Sequence, residues 1–475
     1  MSRPKLLFAA SEVYPFAKSG GLADVAHSLP RALNSSYEVE VVMPLYRSVD
    51  RDRFNIVATG DIFGVTMGGR EYPVALYGCE YEGVRYRFVD APLLCDREYL
   101  YGPPESGYED NALRFGIFNY AIVELLRRGS YALAHLNDWQ CALVPLLLKK
   151  EEETVATKTL YTIHNLAYQG TFDAEVLETL DLPESCFTME GVEFYGKVSF
   201  MKAGIAYADR VTTVSPNYAR EILTAEFGCG LEGFLQRHRA KLTGIVNGID
   251  TEHFSPAGDR LLELAYSDLK GKKANKKAYL KQTTLKGERK PLFVFIGRFT
   301  WQKGMELLAE TLPKIAALEC NVALLGEGER AYRDTFEYIA AIAPNVHFEF
   351  GYDEALSHRM YAAADFLLMP SLFEPCGLNQ MIAMAYGALP VVHSVGGLAD
   401  TVHSVDSFDA GAAGGYGIVF KRPTVRAFAA AVGKAVALYG DKNRYRKIAA
   451  HNMACDFSWE ESARHYGELY GEIVE

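Results

Sequence analysis

What most constrains this chain is a rhythm. Short apolar runs alternate with amphipathic stretches, and the pattern stops near the middle and begins again. Runs that are short and wholly apolar suit strands buried on both faces, and strands alternating with helical stretches predict parallel sheets covered by helices. In the first half the strand candidates are KLLFAA (5–10), VEVVMP (39–44), YALAHL (131–136), TLYTIH (159–164), RVTTVS (210–215) and LTGIVNG (242–248). NALRFGIFNYAIVELLRR (111–128) has a helical period, and the region from about 62 to 90 predicts an inserted hairpin or small antiparallel extension. The second half offers PLFVFIG (291–297), NVALLG (321–326), NVHFEFGY (345–352), DFLLMPS (365–371), LPVVHS (389–394) and YGIVF (416–420). The expected fold is α/β, with two Rossmann-like, doubly wound domains over 1–250 and 251–455. An amphipathic terminal helix, 456–475, is expected to pack back toward the first. At 475 residues the chain is too long for one ordinary core.

The net charge of −11 repels polyanions, so no nucleic-acid partner is expected. The lysine-rich stretch 269–290 has Tyr279 as its one aromatic and reads as a solvated helix and linker. The eight cysteines are scattered, with no C-x-x-C pair and no metal spacing with histidine, which suits a reducing compartment. No apolar run approaches the roughly 20 residues that cross a bilayer, and the N-terminal run is short enough to be a buried strand. The expectation is a cytoplasmic protein with no membrane partner; its oligomeric state is left open.

Loops after the strands carry the chemistry. In KSGGLADV (18–25) a helix is expected to begin near Gly21 and to end or kink at Pro30. Its free amides, with Gly20 and Gly21 permitting close approach, would attract an anion beside the charge of Lys18. The lysine precedes the glycines, unlike a Walker loop, and the spacing is not G-x-G-x-x-G. Alternatively the loop is a tight turn with a surface lysine, and Asp24 complements the helix dipole. GRFTWQKG (297–304) places Arg298 and Lys303 between a strand and a helix, where a bidentate guanidinium and an ammonium could grip a diphosphate. Glu374 in FEPCGL precedes a second helix start at Cys376, Gly377 and Leu378, suited to binding sugar hydroxyls or to capping. Cys376 has no base nearby in sequence to make it a nucleophile. HLNDWQ and TIHNLAYQG end strands with Asp138, Trp139, His164, Asn165 and Tyr168, polar groups beside aromatic faces such as a sugar needs. GGLAD recurs at 396–400, again after a strand, so both copies are expected to look into a ligand cleft. LLGEGER (324–330) reads as a turn.

Together KSGGLADV, HLNDW, TIHNLAYQG, VNGID, GRFTWQKG, GYDEALSHRMYAAAD, PSLFEPCGLNQ and GGLADTV resemble the bacterial glycogen synthases and plant starch synthases, in family order along essentially the whole chain. The resemblance implies the GT-B architecture, with two domains facing across a deep cleft. It implies transfer of glucose from ADP-glucose to the non-reducing 4-hydroxyl of an α-1,4-glucan, with retention and without a metal or other cofactor. Lys18, Arg298 and Lys303 would then contact the donor phosphates, with Gly20 and Gly21 beside them. Glu374 and the amides of Cys376, Gly377 and Leu378 would hold the donor glucose, Asn247 would lie near the donor, and Tyr352 would stack near the adenine. His164 and Asp138 would face the reacting glucose, with Asp24, Trp139, Asn165 and Tyr168 on the acceptor side. The catalytic set so implied is His164, Asp138, Arg298, Lys303 and Glu374.

A nucleoside diphosphate is already a competent leaving group, so positive charge matters more than a proton donor. That favours a front-face displacement through an oxocarbenium-like state. Three departures touch donor contacts: Cys95 stands where many relatives carry an aromatic, Asn379 replaces a frequent threonine, and Val395 a small hydroxyl residue. The alternatives are a retaining GT-B glucosyltransferase using UDP-glucose or another acceptor, and a non-catalytic glucan-binding homologue.

Overall fold

A computed structural model describes residues 3–103, 106–150 and 156–474. The chain divides into two compact units, one running to Asn247 and resuming at Trp459, the other Gly248–Ser458.

The first unit is built on a nine-stranded sheet. Its strands are β1 (Lys5–Ala9), β2 (Glu38–Pro44), β3 (Val57–Met67), β4 (Arg70–Tyr81), β5 (Val84–Asp90), β6 (Leu133–Asn137) and β7 (Lys158–Ile163). After β7 comes a separate antiparallel sheet of β8 (Thr171–Phe172), β9 (Glu193–Phe194) and β10 (Lys197–Ser199). The main sheet then ends with β11 (Arg210–Thr213) and β12 (Leu242–Gly244), giving the order β12-β11-β7-β6-β1-β2-β5-β4-β3. From β12 to β5 the strands are parallel, and the inner ones, β1, β2, β6, β7 and β11, are buried on both faces along nearly their whole length, as helix-covered sheets require. β3 and β4 extend the sheet antiparallel, and the edge strand β3 is exposed along most of its length. The LTGIVNG run pairs only over its first three residues.

The helix Gly21–Leu33 does not end at Pro30. The missing proline amide removes one helical hydrogen bond, but Leu29, Pro30 and Leu33 are all buried, and that packing holds the last turn. The helix Trp459–Val474 buries Trp459, Tyr466, Leu469, Tyr470 and Ile473 in this unit. Its Ser462 hydroxyl donates to the Val246 carbonyl at 2.6 Å, and the Tyr470 hydroxyl lies 2.7 Å from His135 Nδ1 in the interior.

The second unit has a seven-stranded parallel sheet. Its strands are β13 (Leu292–Ile296), β14 (Asn321–Gly326), β15 (Val346–Phe350), β16 (Phe366–Met369), β17 (Leu389–His393), β18 (Val402–Ser404) and β19 (Gly415–Phe420). They lie in the order β15-β14-β13-β16-β17-β19-β18. The lysine-rich stretch does form a helix, Leu269–Lys281, with the Asp268 carboxylate accepting from the Lys270 and Gly271 amides. It is not a solvated face throughout. Lys272 is buried and donates to the carbonyls of Tyr361, Ala362 and Tyr386 at 2.8–3.1 Å, stapling the ends of helices Glu354–Ala363 and Asn379–Ala385. Lys276 is also buried and pairs with Asp365. Carbonyls exposed at helix ends take up the Lys272 amine, and a carboxylate takes up that of Lys276. Among the described residues, no helix is long and apolar enough to cross a membrane.

Candidate functional site

In the first unit, the loop leaving β1 already contains an anion for its own amides. Glu12 is buried and accepts hydrogen bonds from the Ser19 amide, the Ser19 hydroxyl (3.0 Å), the Gly20 amide (3.1 Å) and the Tyr101 hydroxyl (3.1 Å). Burial raises its pKa, and these hydrogen bonds pull it back. The Ser19 and Gly20 amides are therefore engaged by Glu12, which leaves the helix start at Gly21 and the charge of Lys18 as the anion-attracting features of this loop. Its ammonium lies 2.7 Å from Asp24 Oδ1 and 5.6 Å from the centre of the Tyr14 ring. Gly20 is the N-cap residue and Gly21 opens the helix.

The ends of β6 and β7 are adjacent in the sheet, which brings Asp138 and His164 together. Asp138 takes up φ +55°, a conformation uncommon outside glycine, and turns its Oδ1 to accept the His164 amide at 2.8 Å. Burial, reinforced slightly by the charge of Glu12, raises the Asp138 carboxyl to about 7 against the pull of the His164 and Asn165 amides. Burial also lowers His164 to about 3, so its imidazole is neutral, with Nε2 2.9 Å from Asn137 Oδ1. A carboxyl raised well above its ordinary range and a neutral imidazole can offer and accept hydrogen bonds to sugar hydroxyls.

The aromatics of this region divide. Trp139 meets Phe115 edge-on at 4.9 Å and packs beside Phe172 and Phe200, and a side chain on Gly170 would strike its ring. Its indole is partly buried, packed against the core by these contacts. Tyr168 is 54% exposed, with its amide bonded to the Asn165 carbonyl, and is the open ring of the set. Asn247 is buried, and its Oδ1 has no hydrogen-bond partner among the described residues.

In the second unit, Arg298 is exposed just after β13, on a turn backed by Phe299 in the core. Gly326 and Gly328 let the GEG turn lie against it: a Cβ on Gly326 would sit 1.9 Å from the Gly297 carbonyl oxygen. The short turn Trp301–Lys303 ends at Gly304, whose positive φ starts the helix Met305–Ala316. Lys303 Nζ lies 2.6 Å from Glu374 Oε2, which also accepts from the Ser371 hydroxyl at 2.9 Å. The carboxylate is almost wholly buried and the ammonium about one-fifth exposed. Gly377 has φ +74°, Leu378 is the N-cap of helix Asn379–Ala385, and Cys376 is buried. Asn379, the departure from threonine, donates to the Ile296 carbonyl at 2.7 Å and so ties this helix to the strand that carries Arg298. Tyr352 is 67% exposed.

The second GGLAD copy has a different task from the first. The Gly397 amide donates to the carbonyls of Glu374 and Pro375, and a Cβ on Gly396 or Gly397 would collide with the backbone of Glu374 or Cys376. Those glycines let the two loops pack and hold the Glu374 turn in place. Sequence reasoning missed Glu12, Ser371 and Asn137. Position at a strand end was the available signal for Asn137 and Ser371, and nothing in the local pattern marked Glu12.

The model of the starch synthase catalytic domain matches residues 5–237, and that of the glycosyl transferases group 1 matches residues 290–437. Glycogen synthases from Syntrophotalea carbinolica and Aquifex aeolicus are 40% and 41% identical to this chain, each match covering 99% of both chains. The glycogen synthase of Anaeromyxobacter dehalogenans is 44% identical over 99% of this chain and all of its own. Among solved structures, the catalytic domain of starch synthase IV from Arabidopsis thaliana, bound to ADP and acarbose, is similar over the whole of both chains, with TM-score 0.92 and 33% identity. Sucrose-phosphate synthase from Thermosynechococcus elongatus shares the fold, with TM-score 0.62 and 19% identity.

Proposed function

The chain belongs to the glycogen and starch synthases, and from that premise we propose that it transfers glucose from ADP-glucose to the non-reducing 4-hydroxyl of an α-1,4-glucan, with retention at the anomeric carbon. It is a glycosyltransferase of GT-B fold, a glycogen synthase by its full-length likeness to proteins of that name. The nucleotide and the acceptor are the proposal. The observation that carries it is the Lys303–Glu374 pair at 2.6 Å beside the Arg298 turn, in a chain that matches a starch synthase bound to ADP and acarbose.

ADP leaves as a stable anion, so the transition state needs cations on the departing diphosphate and hydrogen bonds on a sugar becoming oxocarbenium-like. Arg298 and Lys303 are assigned to the diphosphate, and Lys18 to its phosphate oxygens. Glu374 keeps the Lys303 ammonium aimed and accepts from hydroxyls of the donor glucose. Cys376, Gly377 and Leu378 lie at the turn beside that sugar, Asn247 offers its buried Oδ1 to the donor, and Tyr352 offers an exposed ring to the adenine. His164, held neutral, hydrogen-bonds the reacting glucose without repelling positive charge at the anomeric carbon. Asp138 positions His164 through its amide, while Asn165 and Tyr168 serve the acceptor. The reaction is assigned no metal, because the three basic side chains supply the charge.

The test is a donor panel. Purified protein with glycogen or maltooligosaccharides should incorporate glucose from ADP-glucose, and α-linkage in the product should show by NMR. Incorporation from UDP-glucose alone would overturn the donor, and a β-linked product would overturn retention.

A further inference from the structure

A second cluster of chemistry-bearing side chains, wholly within the second unit and sharing no residue with the proposed donor site, is formed by His253, Glu354 and His358. One ligand atom from each lies within 4.8 Å of the others. Glu354 and His358 are four residues apart on the helix Glu354–Ala363 and so share a face. His253 comes from a turn held by Asp250, whose Oδ1 accepts from the Glu252 and His253 amides at 2.9 and 3.0 Å. Its Nε2 lies 3.0 Å from Glu354 Oε1.

His358 is the informative member. It is 1% exposed, and its Nδ1 lies 2.8 Å from Asp259 Oδ2. Asp259 is fixed in turn by the Tyr386 hydroxyl at 2.6 Å and the Leu261 amide at 2.9 Å. Phe254 stacks on the imidazole at 4.9 Å and 22°. A carboxylate on Nδ1 holds the proton there and leaves a lone pair on Nε2. That Nε2 is buried and has no hydrogen-bond partner among the described residues. A buried lone pair without a donor is costly in a protein interior, and a cation answers it.

We propose that His253 Nε2, Glu354 and His358 Nε2 bind one Zn²⁺ ion, with Asp259 as the carboxylate that orients His358. Two imidazoles and a carboxylate are a zinc set, whereas Mg²⁺ and Ca²⁺ take oxygen ligands. Tetrahedral zinc spaces its ligand atoms about 3.3 Å apart at bond lengths of about 2.0–2.1 Å. Ligand atoms within 4.8 Å must draw together to reach that spacing, and His253 and Glu354, both half-buried, are the members with freedom to move. The ion clamps the 250–254 turn to the helix at Glu354. Its role is structural and separate from the transfer chemistry assigned to Arg298, Lys303 and Glu374.

The experiment is a Co²⁺ titration of the full chain after chelation, followed by displacement with Zn²⁺. One equivalent of Co²⁺ should give tetrahedral ligand-field bands without a sulfur charge-transfer band, and one equivalent of Zn²⁺ should abolish them. His253→Gln and Glu354→Gln should each weaken Zn²⁺ by more than about 100-fold, and Asp259→Asn by about 10- to 100-fold, the range for removing an orienting partner. His253→Gln alters a half-buried turn residue, so it keeps the test valid where His358→Ala does not fold. No uptake by the unaltered protein, a thiolate charge-transfer band from the cysteines, or unchanged affinity in His253→Gln with Glu354→Gln would overturn the site.

Discussion

Replacing Lys303 by methionine removes the ammonium and keeps most of the stem, leaving Glu374 as a carboxylate that is 6% exposed with the Ser371 hydroxyl as its remaining side-chain donor. Breaking a buried ion pair by deleting one partner costs about 3–5 kcal/mol. The retained Ser371 bond and the partial exposure of Lys303 place the stability loss near the lower figure, about 3 kcal/mol. Removing one preorganised donor at developing negative charge costs about 10²–10³-fold in turnover. The two effects separate in the double variant Lys303→Met with Glu374→Gln. Without either charge, the stability penalty should fall to within about 1 kcal/mol of the unaltered chain, because a neutral pair is tolerated where a lone buried charge is not. Turnover should stay at least about 10²-fold down, because the diphosphate still lacks its cation. Stability is read by urea denaturation, and turnover by ADP release with a maltooligosaccharide acceptor. Recovery of turnover together with stability would refute the reasoning, since Lys303 would then serve the fold alone. So would a folded single variant within about fivefold of normal turnover.

Lys18→Ala should raise the donor KM by about tenfold, about 1.4 kcal/mol, and leave the glucan KM within about twofold; the partly exposed pair with Asp24 makes the accompanying stability change less than about 1 kcal/mol. An equal rise in both KM values would sink its assignment to the phosphates. The raised Asp138 carboxyl means that the native chain holds this proton more tightly than the unfolded one. That margin is full below the ordinary value of 3.8 and is lost as pH rises through about 7. His164 has the opposite sign: its margin is present above the ordinary 6.5 and is lost as pH falls toward about 3. The stability of Asp138→Asn relative to the unaltered chain should therefore climb from pH 5 to pH 8, and that of His164→Gln from pH 7 down to pH 4. Differences that stay flat across those windows in denaturant melts would contradict the burial of both groups. Lys272→Met should cost about 3 kcal/mol or more by stranding three buried carbonyls, whereas Lys273→Ala, on the exposed face of the same helix, should stay within about 0.5 kcal/mol; equal effects would restore the reading of this stretch as a solvated helix.

What the sequence made legible follows from how far each signal reaches along the chain. The apolar runs announced the parallel strands, because a strand buried on both faces must be apolar throughout, and KLLFAA and PLFVFIG have few alternatives. Strand ends then announced Arg298, Lys303, Asp138 and His164. Their neighbours were not legible. The Asp138–His164 contact depends on β6 and β7 pairing in register, and Lys303 meets a carboxylate 71 residues away. Trp139 read as a sugar platform because an aromatic beside an aspartate at a strand end suits carbohydrate. Phe115, Phe172 and Phe200, which claim its ring, come from distant segments. Lys272 and Lys276 defeated a charge-pattern reading for the same reason: the helix-end carbonyls that hold the first and the Asp365 carboxylate that holds the second come from distant segments. The His253–Glu354 contact spans 101 residues and leaves no local pattern at all.

Two lysines assigned to the donor already hold a carboxylate each, and the two pairs differ in a way that bears on how the diphosphate is taken up. Asp24 is about one-quarter exposed and its pair with Lys18 bridges only six residues, so that pair lies at the surface. Glu374 is instead buried and bonded to Ser371, and its backbone is gripped by the Gly397 amide. If Lys303 meets the diphosphate as proposed, it does so with its carboxylate still attached, and that fixed bond spares it the rotamer entropy that an unpaired lysine loses on binding, about 1.5–2 kcal/mol. On the proposed function, the fixed ammonium of Lys303 would be preorganised for the leaving group, and Lys18 would be the more adaptable of the two. One lysine lies on a turn closed by Gly304 and the other on a loop whose Ser19 and Gly20 amides are held by Glu12. Substituting Lys303 should then lower turnover more than donor affinity, and substituting Lys18 should do the reverse.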